Sequence, residues 1–250
     1  FKQTQSVGKL TKQLSKLTDQ LLAQLWNACD LSNTATLVAV GGYGRGALFP
    51  YSDIDILILL PNESQEAELA SKKVEQFIAN CWDTGLEIGS SVRTIAECIS
   101  ESEQDITVRT SLLEARYLCG QKSLFKEFAK AYEGAMDPRS FFQAKLAEQI
   151  QRHYKYQNTP YSLEPNCKES PGGLRDLQVI YWAAKAVTQL NDVLLQNIEA
   201  LLFPQESKTT HPIPGEGNEF FIERQGVLDI TDPQLFQKHP EQILRTFLVF

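Results

Sequence analysis

Thr36-Leu-Val-Ala-Val-Gly-Gly-Tyr-Gly-Arg-Gly-Ala-Leu-Phe-Pro-Tyr-Ser-Asp-Ile-Asp-Ile-Leu-Ile-Leu-Leu60 is the stretch on which the reading of this chain turns. Thr36 to Val40 and Ile54 to Leu60 are short apolar runs of the kind that form buried strands, and Pro61-Asn62 ends the second. Between them lie four glycines in the six positions 41–46, where backbone N–H groups can approach phosphate oxygens with no Cβ in the way. No Gly-Lys-Ser/Thr follows, so this is not a Walker loop. The spacing also departs from a dinucleotide fingerprint, and Pro50 argues against an immediate helix. Taken alone, the glycines make a tight turn.

The segment Ser52-Asp-Ile-Asp-Ile56 changes that reading. In a strand, residues i and i+2 share a side at ~6.5–7 Å separation, so Asp53 and Asp55 project together while Ile54 and Ile56 enter the core. Two adjacent carboxylates at the start of a buried strand repel each other. A bound divalent cation with oxygen ligands, of the Mg²⁺ type, offsets that repulsion most simply. The alternative is one carboxylate capping a turn and the other solvated at the strand end.

Outward from this core, Leu10, Leu14, Leu17, Leu21, Leu25 and Ala28 recur at helical spacing and predict an amphipathic helix over 9–29. A second helix is expected over 64–81, a third strand over 85–92, and Thr94 can cap a short helix after it. Beyond about residue 100 only helices are expected: 103–118, 123–132, 138–156 with Asp137 at the cap and Pro138 in the first turn, and 173–189. Residues 220–230 read as a hairpin around Gln225-Gly226. The fold class is therefore α+β: a small mixed sheet with flanking helices and an N-terminal helix over 1–120, followed by a mainly helical domain with a C-terminal hairpin over 121–250.

Composition bounds the function. The 250 residues carry a net charge of −7, which argues against a chain-wide polyanion-binding surface while leaving room for a local basic pocket. No apolar run approaches the ~18 residues of a membrane span. The start lacks an initiator Met and a signal pattern, so the chain reads as soluble and as excised from something longer. Five cysteines with wide, irregular gaps suggest neither a disulfide framework nor a C-x-x-C metal site, and a cytoplasmic setting fits best.

A strand, a Gly-Gly loop and Asp-x-Asp opening the next strand together resemble the polymerase β-type nucleotidyltransferases. Such sites need a third carboxylate from a neighbouring strand, for which Glu87 is best placed and Asp83 is the alternative. The likeness extends further. Residues 41–59, Trp82-Asp-Thr-Gly-Leu-Glu-Ile-Gly-Ser-Ser-Val-Arg-Thr94 and Lys168-Glu-Ser-Pro-Gly-Gly-Leu-Arg-Asp-Leu-Gln178 resemble, in this order, three motifs of the bacterial PII uridylyltransferases. The resemblance implies that UTP, with Mg²⁺ or Mn²⁺, donates UMP to a tyrosine of the regulatory protein PII and releases pyrophosphate. It implies that Gly41, Gly42 and Gly46 hold the triphosphate, that Asp53, Asp55 and Glu87 hold metal, and that Ser52 and Arg45 sit beside the phosphates.

On their own terms, Lys168 and Arg175 bring cations to a helix N-terminus, a natural anion site, and they are expected over the nucleotide cleft. The competing reading is a helix-capping turn in which Arg175 pairs structurally with Asp176 or Glu169. The family's uridylyl-removing module carries His-Asp pairs, and this chain has no His-Asp dipeptide, so removal of UMP is not expected of it. The passage 190–218 also looks shorter than the family's helical passage. Rival functions are an adenylyltransferase of another protein, a non-catalytic nucleotide sensor, and nucleic-acid polymerisation, the last disfavoured by the charge.

Overall fold

The structure is a computed structural model that describes residues 7–46, 48–61, 65–160, 164 and 166–188. It divides into two compact units, Phe1–Asp137 and Pro138–Phe250, each described here by itself. The hairpin expected over 220–230 and the passage 190–218 lie outside the described residues.

The first unit is built on a four-stranded mixed sheet of order β3-β2-β1-β4. Its strands are β1 (Thr36–Ala39), β2 (Ile54–Leu60), β3 (Ile88–Thr94) and β4 (Arg116–Gly120). β1 runs antiparallel to both β2 and β4, whereas β2 and β3 are parallel, joined through α3 (Gln65–Asp83). Helix α1 (Val7–Ala28) precedes the sheet, and the one-turn helix α2 (Gly41–Gly44) follows β1. α4 (Ile95–Gln104) and α5 (Ile106–Leu113) separate β3 from β4, and α6 (Lys122–Ala135) closes the unit against β1 and α4. This is the small mixed sheet with flanking helices expected of a polymerase β-like nucleotidyltransferase domain.

One core holds α1 and α3 against the sheet. Leu37, Ala39, Ile54, Ile56 and Ile58 meet Leu22 and Trp26 of α1 and Val74, Phe77 and Cys81 of α3. Trp26 and Phe77 pack edge to face, with centroids 5.1 Å apart, a favoured geometry for an aromatic pair. Alternation along β2 sends Asp55 to the opposite face, in line with Leu57 and Leu59. The cap expected at Thr94 is present as a full capping box, its side chain accepting from the Glu97 N–H while Glu97 accepts from the Thr94 N–H.

Four local expectations are corrected. Residues 116–120 are a strand, not the end of a helix, because β1 has a free edge that they pair with through a bulged register. The third strand starts at Ile88 rather than Gly85, since Gly85 closes the turn after α3 through the Gly85 N–H to Trp82 carbonyl bond. Gly41–Gly44 forms a helical turn although Pro50 follows, because the Gly44 N–H bonds the Val40 carbonyl at 2.9 Å and the turn ends well before the proline. In α1 the fully buried row is Thr11, Ser15, Leu22 and Trp26; of the leucine stripe, Leu14 and Leu25 pack partly buried against the core, while Leu17 is 62% exposed. The helix is rotated so that Trp26 reaches Phe77.

The second unit contributes α7 (Pro138–Lys155) and α8 (Leu174–Thr188), which pack on each other; Phe141, Val179, Ile180 and Trp182 are among their buried residues.

Truncating Phe77 to Ala removes the ring that joins α3 to Trp26, and the expected loss is about 3–5 kcal/mol of unfolding free energy, measurable by urea denaturation.

Candidate active site

The parallel pairing of β2 with β3 puts Asp55 opposite Gly89, and the Val40 N–H bonds the Asp55 carbonyl at 3.0 Å, so the end of β1, the start of β2 and the start of β3 converge. A cleft of about 580 Å³ opens there, lined by Asp53, Asp55, Trp82, Gly85, Leu86, Glu87, Ile88 and Gly89. Asp53 stands exposed just before β2, and Asp55 is half-buried.

Two glycines shape the space around Asp55. A Cβ at Gly89 would lie 2.8 Å from Asp55 Oδ1, and a Cβ at Gly41, whose φ is +55°, would lie 3.2 Å from Oδ2. Side chains at either position would push the carboxylate aside. Ser111 of α5 also borders Gly41, 3.4 Å from that same Cβ position. No hydrogen-bond donor among the described residues meets either aspartate side chain. Burial, and then the charge of Asp53, raise the Asp55 carboxyl above the ordinary carboxylate range. The site therefore presents two neighbouring carboxylates, Asp53 exposed and Asp55 half-buried, with no hydrogen-bond donor among the described residues on either, a donor set that fits a hard divalent cation.

Glu87 lines the same cleft one residue before β3, with its side chain exposed and its backbone carbonyl accepting from the Ile54 N–H at 3.1 Å. Among the described residues, no group of three or more His, Cys, Asp or Glu side chains is gathered as a metal cage. Asp83 ends α3 and is exposed. Ser52 is exposed beside Asp53; Gly42 lies within the glycine turn and Gly46 just after it. Arg45 is engaged with protein: its guanidinium donates to Glu114 at 2.5 Å, and the Glu114 side chain is 1% exposed against 26% for Arg45.

In the second unit, Arg175 donates to Gln178 at 2.9 Å and Glu169 at 3.1 Å and stacks 5.4 Å from the Trp182 centroid, while Lys168 is exposed. Asp176 receives Arg152, Gln149, His153 and the Gly172 N–H. Burial works against its charge, but these bonds, His153 first, hold its carboxyl below the ordinary range. Of the structural pairings considered for this motif, Arg175 with Glu169 is formed, while Asp176 is held instead by Gln149, Arg152, His153 and the Gly172 N–H.

Residues 22–113 match the nucleotidyltransferase domain family, and residues 140–211 match the family described as GlnD PII-uridylyltransferase. The bifunctional uridylyltransferase/uridylyl-removing enzymes of Ralstonia nicotianae and Cupriavidus metallidurans are each 44% identical to the chain, over all of it and 38% of their own length. The chain thus resembles the nucleotidyltransferase domain family in its first half and the GlnD PII-uridylyltransferase family after it. It spans about 38% of the length of these curated relatives, as their N-terminal part. The alignment to each runs over 335 positions for the 250 residues here, so the relatives' matched span is the longer one. No described helix is long and apolar enough to cross a membrane.

Sequence reasoning in this family points at the motif residues, and it passed over Trp82, 64% exposed in the cleft, and Ser111. Trp82 lay within a quoted motif, and its place in the cleft follows only from the turn Trp82–Gly85. Nothing in the local sequence marks Ser111.

The raised Asp55 carboxyl has a measurable sign. An acid held above its ordinary range in the folded state withdraws stability as pH rises through the interval between the two values. Without divalent cation, Asp55→Asn is expected to melt above the wild type at pH 7, with the gap closing as pH falls toward about 4. Adding Mg²⁺ or Mn²⁺ should raise the melting temperature of the wild type and leave the variant unmoved, as read by differential scanning calorimetry.

Proposed function

We propose that this chain carries the transfer half of a uridylyltransferase: UTP donates UMP to a tyrosine hydroxyl of a PII-type protein, and pyrophosphate leaves. The observation that carries the reading is the carboxylate pair Asp53 and Asp55 at the head of β2, Asp55 half-buried beside Gly41 of the glycine turn and neither meeting a donor among the described residues. The names of the relatives support the choice of nucleotide and acceptor class.

In this reading Asp53 and Asp55, with Glu87 lining the same cleft, would hold Mg²⁺ or Mn²⁺. The bound cation supplies charge neutralisation of the entering and leaving oxygens. The chain's own residues do the rest. Gly41 and Gly42 give the phosphates access to backbone N–H groups, with Gly46 and Ser52 at the ends of that loop. Arg45 keeps the turn anchored to Glu114 beside them. The acceptor oxygen forms its bond to the α-phosphorus in line with the departing pyrophosphate, and the hydroxyl proton leaves as that bond forms. Lys168, whose side chain is exposed, and Arg175, paired with Glu169, belong to the second unit, and a phosphate-binding part for them rests on the family resemblance alone.

The test is incubation of the protein with a PII-type protein and each labelled nucleoside triphosphate in Mg²⁺ or Mn²⁺. UMP incorporation is expected; AMP incorporation without UMP would move the chain to the adenylyltransferases, and binding without transfer would make it a sensor. Asp53→Asn should abolish transfer with unchanged circular dichroism. Gly89→Ala should lower kcat by about a hundredfold, the size of loss that a misplaced reacting group of ~1 Å produces, because its Cβ displaces the Asp55 carboxylate.

A further inference from the structure

The glycine turn is held in place by three charged side chains that all lie outside the matched nucleotidyltransferase span of 22–113: Asp19, Glu114 and Arg116. Arg116, the first residue of β4, uses its whole fork. Its Nε donates to the Gly44 carbonyl at 3.1 Å and its Nη2 to the Tyr43 carbonyl at 3.3 Å. Its Nη1 and Nη2 also reach the two carboxylate oxygens of Asp19 on α1 at 2.8 and 3.0 Å. The guanidinium lies 5.3 Å from the Tyr43 ring centroid, and the Tyr43 hydroxyl donates to Asp19 at 2.5 Å.

On the other side, Arg45 is fixed by buried Glu114, whose backbone carbonyl stands where a Gly44 side chain would be, 2.1 Å from its Cβ position. Among the described residues the side-chain partners of the Asp19 carboxylate are Arg116 and Tyr43, and it reaches the turn through them. Burial works against the Arg116 charge, but Asp19 outweighs it and the guanidinium holds its proton more firmly than usual.

We infer that Asp19 and Arg116 are positioning residues for the nucleotide-binding turn, fixing Gly41 and Gly42 against Asp55 from α1 and β4, with Glu114 completing the hold through Arg45. The inference rests on the proposed nucleotide site for its kinetic consequence and on the clamp's geometry alone for its structural one. A lysine at 116 would keep the charge for Asp19 but could not fork to both carbonyls as well. That makes Arg116→Lys the discriminating variant.

Two measurements on the whole chain test the clamp. Hydrogen exchange read by mass spectrometry over residues 40–46 should speed up about tenfold in Arg116→Lys and in Asp19→Asn, since the Gly44 and Gly46 N–H bonds loosen, while the melting temperature stays within a few degrees. In transfer assays both variants should lose about ten- to a hundredfold in kcat/KM for UTP with the KM for the acceptor protein unchanged. Asp19→Asn should cost nothing further in the Arg116→Lys background. Wild-type exchange in both variants, or additive losses in the double variant, would overturn the inference. A wild-type protein that neither binds nor uses UTP would overturn the nucleotide reading instead, and the exchange data would still decide the clamp.

Discussion

The electrostatic tension between Asp53 and Asp55 at the head of β2 is the constraint around which the first unit is arranged. Ile54 and Ile56 anchor this strand in the core, so Asp55 has no freedom to swing to solvent as Asp53 does. Its neighbours could have relieved the charge with a donor or a cation. Instead the nearest positions are Gly41 and Gly89, which give room, and the nearby Arg45 is turned toward Glu114. A fold stabilised only for itself would not keep a desolvated, repelled carboxylate without a partner. The arrangement makes sense when a cation completes it.

How much of this was legible in the sequence depends on how local the determinant was. The two central strands, the glycine turn and the Asp-x-Asp pair were readable because strand alternation alone settles which way Asp55 and Ile56 point. The capping box at Thr94 and Glu97 was half readable, from the threonine. β4 was not, because Arg116-Tyr-Leu-Cys-Gly120 is half-buried along its whole length and shows no alternation. Its identity as a strand comes from the open edge of β1, which is tertiary information.

The rotation of α1 has the same origin. A count of leucines selects the stripe through Leu10, Leu14 and Leu17, yet the face turned to the sheet runs Ser15, Asp19, Leu22, Trp26. The lower half of that face is apolar and meets Phe77. The upper half is polar because it meets Arg116, whose Nη2 lies 3.5 Å from the Ser15 hydroxyl. Hydrophobic periodicity could not find a helix face that serves a core at one end and a charged clamp at the other.

Charge bookkeeping then connects the clamp to the chemistry. Around the cleft, Arg45 is matched by Glu114 and Arg116 by Asp19; in the second unit Arg175 is matched by Glu169 and Lys145 by Glu148. These arginines and this lysine fix geometry, and each already faces a carboxylate. Breaking the Arg45 pair would leave Glu114 charged and 1% exposed, a loss of about 3–5 kcal/mol, so an inactive Arg45→Ala protein would say nothing about phosphate contact. A triphosphate brought to Asp53 and Asp55 adds negative charge to negative charge. With Arg45 and Arg116 of the first unit already opposed by carboxylates, a cation arriving with the nucleotide would supply compensating charge, which is what paired oxygen ligands at the head of β2 are suited to receive.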